Sequence, residues 1–142
     1  MATLAAVTPR NFTTVEYQDY PVVASDKIFE GSLLGWSSGY VRPLVAGDEF
    51  AGVAVATADN SSGSAGDITV RCATTVPFHM NVTGATVASN GVAVYASDDD
   101  TLTTTEGANS LVGYIVRFVS GTECVIQPEP GFKNIFDDLN TP

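Results

Sequence analysis

Basic residues are scarce in this chain of 142 residues: Arg10, Lys27, Arg42, Arg71, Arg117 and Lys133 face sixteen acids, for a net charge of −10. The six cations are scattered along the sequence. A sequence-independent grip on phosphates needs several cations on one face, so nucleic acid and anionic membrane are excluded as partners. Charged residues of both signs make up only 15% of the chain. The exposed surface therefore leans on Ser, Thr, Asn and Gly, which suits close packing against other proteins.

Histidine is scarcer still, with His79 alone in Val76-Pro77-Phe78-His79-Met80. One histidine excludes a His-based metal site and a two-histidine acid/base pair within one chain, and a lone histidine in an apolar strand reads as structural. A Gly-rich phosphate loop with its Lys and the EF-hand spacing are both missing. Asp98-Asp99-Asp100, and Asp59 with Asp67, carry hard oxygen ligands but read as solvated acidic turns. The expectation is a protein that is no enzyme and takes no cofactor or metal.

Cysteine is limited to Cys72 and Cys124, each at an alternate apolar position of an expected strand, so both read as buried free thiols. A chain of this length buries enough surface for a core without a disulfide scaffold. No apolar run approaches the roughly 18 residues of a membrane span. The opening Met1 to Val7 lacks a basic region ahead of an apolar core, so no secretory signal is expected and the protein reads as soluble, staying in the cell that makes it. The Asn-x-Ser/Thr patterns at Asn11, Asn60 and Asn81 then read as chance.

What the chain does have is glycine, thirteen of them, with seven prolines and segments of Val, Thr, Tyr and Phe between. Helices are broken before they start, and the reading is all-β, a small β-barrel or sandwich-like domain. Strands are expected at Thr14–Tyr20, Lys27–Leu34, Tyr40–Leu44, Phe50–Ala56, Ile68–Ala73, Val76–Val82, Val92–Ala96, Leu111–Val119 and Cys124–Gln127. Turns fall at Ser37-Ser38-Gly39, Ala46-Gly47-Asp48, Asp98-Asp99-Asp100 and Ser120-Gly121-Thr122. The stretch Asp59 to Asp67 reads as an exposed low-complexity loop, mobile or ordered by a partner.

One phrase occurs twice. Gly31 leads through Ser32-Leu33-Leu34 and a polar turn to Gly52 in Phe50-Ala51-Gly52-Val53; Gly91 leads through Val92-Ala93-Val94-Tyr95 to Gly113 in Leu111-Val112-Gly113-Tyr114. The pattern predicts one hairpin-like unit used twice within a single compact domain. The second run, Leu111 to Val119, is apolar on both faces, so it is expected either as internal core or as half core and half subunit interface, with Ile115 on the interface side.

The ends differ from the middle. Residues 1–26 read as an N-terminal arm, 27–127 as the β domain and 128–142 as a tail. Phe12, Tyr17 and Tyr20 in the arm need a surface to bury them, either this core or a neighbour's. In the tail, Ile135, Phe136 and Leu139 share one helical face and predict a short helical turn.

Lys27-Ile28-Phe29-Glu30-Gly31-Ser32-Leu33-Leu34-Gly35, Gly39-Tyr40-Val41-Arg42-Pro43-Leu44, Phe50-Ala51-Gly52-Val53-Ala54, Gly91-Val92-Ala93-Val94-Tyr95 and Val112-Gly113-Tyr114 together resemble the bacteriophage capsid decoration, or cement, proteins of the lambda-like head type. The resemblance spans roughly residues 15 to 127. It implies a β-tulip or β-clip type fold, homotrimeric subunits, and a structural virion protein. Such a protein, made in the host cytoplasm, binds the major capsid protein on the outer surface of the mature head and stabilises it against packaged DNA. It also implies that the arm orders on the capsid, so Phe12, Tyr17, Tyr20, Ile115 and Phe136 are the expected capsid or subunit interface. A different class is a carbohydrate-binding or adhesive β domain, with Trp36, Tyr40 and Tyr95 as stacking platforms.

Overall fold

The structure, a computed structural model, describes residues 5–13 and 15–131. Residues 5–13 are exposed and carry neither strand nor helix. From there on the architecture is all-β. The first sheet holds β1 (Tyr17–Pro21), β3 (Leu33–Ser37), β4 (Tyr40–Pro43), β5 (Phe50–Ala54) and β7 (Thr69–Ala73), in the order β1-β7-β5-β3-β4. The second holds β8 (Phe78–Asn81), β9 (Ala93–Asp98), β10 (Thr101–Thr103), β11 (Ser110–Ser120) and β12 (Glu123–Pro128), in the order β10-β9-β11-β12-β8. A two-stranded ribbon pairs β2 (Asp26–Ile28) with β6 (Ala58–Asn60). A 3-10 turn at Val87–Ser89 is capped by Thr86, whose hydroxyl accepts from the Ala88 N–H.

The twice-written phrase folds twice, and the duplication reaches further than the phrase. Both sheets have the same order when β1, β3, β4, β5 and β7 are matched with β8, β9, β10, β11 and β12. The registers agree pair by pair: Leu33 opposite Val53 corresponds to Ala93 opposite Tyr114, Ala54 opposite Cys72 to Ile115 opposite Ile126, and Asp19 opposite Arg71 to His79 opposite Val125. Even the irregularities match. Gly31 and Gly91 both turn with positive φ, 93° and 81°, and donate to the Ala54 and Ile115 carbonyls at 2.8 and 2.7 Å. Val22 bridges Val41 as Val82 bridges Leu102.

Gly52 and Gly113 occupy the matched close approach of neighbouring strands. A Cβ on Gly52 would sit 2.7 Å from the Ala73 carbonyl oxygen, and one on Gly113 would overlap that of Gln127. Only glycine lets the backbones come that near, which explains why this residue anchors the second half of each phrase.

Each repeat has its own core. Val22, Leu34, Val41, Ala51, Ala54, Val70 and Cys72 are buried together in the first; their counterparts Val82, Val94, Leu102, Val112, Ile115, Cys124 and Ile126 are buried together in the second. Leu33, Leu44 and Phe50 of the first repeat join the second repeat's cluster and weld the two into one body. Hydrogen bonds from Leu33 N–H to the Asp99 carbonyl, 2.9 Å, and from Gly47 N–H to Ser110 Oγ, 3.0 Å, seal the seam.

Several expectations are corrected. The sheets do not close into a barrel; their edge strands meet only through the single bridges at Val22 and Val82. The expected strand Lys27–Leu34 is two strands separated by the Gly31 turn; β6 runs into the stretch expected as a loop from Asp59, and β10 lies where no strand was expected. Within residues 1–26, β1 pairs with β7 along its length from Tyr17. The expected helical turn around Phe136 lies outside the described residues.

Candidate interaction surface

His79, expected inside an apolar strand, stands exposed on edge strand β8 and pairs through Nδ1 with Glu123 Oε2 at 2.7 Å. No group of three or more His, Cys, Asp or Glu among the described residues is placed to hold a metal ion. Cys72 and Cys124 are buried free thiols, as the alternation predicts. Burial, and then the Asp19 carboxylate, push the Cys72 thiol up to about 11. Burial also raises Cys124. Both therefore stay protonated near neutral pH and are poor nucleophiles.

The aromatics weighed as stacking platforms lie in different surroundings. Tyr20 lies against Trp36 with ring centroids 4.6 Å apart at 54°, and both pack on the first repeat's core. Tyr40 lies beneath Gly66, and Tyr95 is buried. Trp36 and Tyr40 are half-buried.

Exposed apolar side chains include two groups that bear on the expected interface. The first is the arm, where Val7 is 94% and Phe12 92% exposed, with Val15 exposed beside them. Where the arm enters the body, Val15, Tyr20, Thr74, Thr75 and Pro130 line a recess of about 210 Å³. Tyr17 closes the arm, half exposed, with the Arg71 guanidinium 5.4 Å from its ring centre.

The second surface is the outer face of β11. Ile115, the residue expected at an interface, is fully buried in the second repeat's core and is corrected to a core residue. Its neighbours Tyr114 and Val116 face out instead, 42% and 44% exposed; Val92, just ahead of β9, accepts from the Ile115 N–H and is also exposed. The sequence could not assign these sides. A bulge between Leu111 and Gly113 lets Leu111, Val112 and Gly113 all be buried, so alternation counted from the start of the strand loses its phase.

A shallow cavity of about 390 Å³ opens at the seam, lined by Phe29, Glu30, Gly31 and Ser32 from one repeat and Asp99 and Asp100 from the other. Ser32 Oγ donates to Asp99 Oδ2 at 3.0 Å. Three carboxylates with no cation on the lining make it repel anions.

Comparison with known proteins places no relative beside this chain: no family model, no curated protein and no solved structure matches it. No helix among the described residues is long and apolar enough to cross a membrane.

Proposed function

We propose that this chain is a structural virion protein that binds the outer surface of a mature phage capsid and stabilises it against the pressure of packaged DNA. The observation that carries the reading is an exposed apolar arm, with Phe12 and Val7 almost wholly in solvent, attached to a body of two welded β repeats. Large apolar side chains left in water on a terminal segment gain by burial against another surface. The resemblance of residues 15 to 127 to capsid decoration proteins names that surface as the major capsid protein. It also makes the fold a β-tulip or β-clip type and the subunit a self-associating one, a homotrimer. The inward curl of both sheets, each drawn toward closure by one bridge, supports the fold assignment.

Many modest contacts repeated around a closed shell add up to large resistance without any contact being strong. The protein is made in the host cytoplasm and works on the outside of the head, with no reaction to catalyse. The test is binding of the purified chain to mature shells that lack it. The full chain binds saturably and raises the temperature at which the shells break. Deletion of residues 1–13, which spares β1, weakens binding at least about tenfold. Unchanged binding by that deletion removes the arm from the mechanism.

A further inference from the structure

The two ends of the β body emerge at one place. Val15, at the root of the arm, and Pro130, just after β12, both line the recess of about 210 Å³, together with Tyr20, Thr74 and Thr75. Small-molecule sites run from about 300 Å³ upward, so this recess is sized for a single side chain rather than for a ligand. It also carries an unmet polar group. Thr74 is 2% exposed, and its hydroxyl has no hydrogen-bond partner among the described residues. Buried hydroxyls in folded proteins are nearly always paired, so Thr74 leaves the recess with a demand for a donor or an acceptor.

We infer that the recess is the seat of this chain's own C-terminal segment, residues 132–142, with Phe132 as the side chain that fills it. The chain turns at Pro130-Gly131, where Gly131 takes φ 81°. Phe132 follows only two residues after Pro130 on the rim, within about 7 Å along the chain. Ile135, Phe136 and Leu139 lie further along, and Phe12 of the arm stands in solvent. Charge agrees with this choice of occupant. A Cβ at Gly131 would lie 3.8 Å from Glu49 Oε1, and Lys133, two residues on, is the segment's single cation. On a chain of net charge −10, a cation delivered beside a carboxylate favours the seated segment. The tether makes the encounter intramolecular, so modest contacts are enough to populate it. Peptide N–H and C=O groups of the seated segment serve the Thr74 hydroxyl. Phe132 then covers Val15 and fixes the direction in which the arm leaves the body. The inference goes beyond the capsid reading and does not rest on it.

The test is hydrogen exchange at the Thr74 amide, read by NMR on the full chain at about 50 and 500 μM. That amide donates to the Glu16 carbonyl at 2.8 Å, next to Val15, and it opens when the root of the arm lifts. A chain ending at Gly131 exchanges there at least about tenfold faster than the full chain, while amides within β11 keep their rates. Full-length Phe132→Ser does the same, and Phe136→Ser leaves the rate in place. The full chain gives equal rates at both concentrations, because segment and recess belong to one molecule. A Phe132→Ser rate equal to that of the full chain overturns the inference, whatever the shortened chain does. So does protection that grows with concentration, which would give the recess to a second copy's tail. Protection that appears only on capsid shells overturns it as well, and would give the recess to the capsid.

Discussion

Six of the seven matched core positions hold different side chains in the two repeats, and the differences compensate. Ala51, Ala54 and Cys72 in the first repeat become Val112, Ile115 and Ile126 in the second. The first makes up the volume with Ile28 and Ala58 from the β2-β6 ribbon, which has no counterpart strand pair in the second. Close packing demands this, since an interior tolerates neither voids nor excess methylenes. Ile115→Ala therefore opens a cavity that nothing can fill and costs about 2 to 5 kcal/mol in urea unfolding. Tyr114→Ser, one residue away but exposed, stays within about 1 kcal/mol. At the same scale, Cys72 makes stability depend on alkaline pH. Its folded pKa is raised from 9.0 to about 11, so the stability it holds is complete below pH 9 and falls as pH rises through 9 to 11, where the unfolded thiol ionises first. The thermal midpoint drops across that window, and Cys72→Ala makes the drop shallower. The burial of both thiols was legible in the sequence, from their alternate apolar positions. The exposure of His79 was not, because its partner Glu123 lies on another strand.

Among the elements, the long strands were legible and the short ones were not. β5, β7, β11 and β12 announce themselves by runs of Val, Ile, Phe and Cys bounded by turn residues. β6 carries Asp59 and Asn60 in a Ser/Gly tract, and its order comes from a tertiary contact rather than a local preference. Asn60 is buried, and its amide donates to the Val23 and Ser64 carbonyls, each at 3.0 Å. The loop is held by its own chain, where the sequence suggested mobility or a partner. Asn60→Ala removes both donors, leaving those carbonyls unmet, and costs about 1 to 3 kcal/mol by chemical denaturation. The arm behaves in the opposite way. Residues 5–13 are exposed, so deleting residues 1–13 leaves the melting temperature within about 2 °C of the full chain.

For the whole molecule, a tandem duplication explains why the repeated phrase was the strongest pattern in the sequence, and why it led only to a scaffold. Glycine placement and core positions are shared between the repeats, while the outward residues have diverged: Arg71 with Asp19 on one sheet, Val125 with His79 on the other. The scaffold was therefore legible in one repeat read against the other, and the interaction surfaces were not, because they depend on a bulge and on which repeat covers which. An exposed arm on a body of two welded repeats fits a part that works in many copies on a repeating surface. Copy number tests that claim most directly. Quantitative mass spectrometry of purified virus particles should give about one copy of this chain per major capsid subunit. Absence from the particles, or only a handful of copies in each, would contradict it.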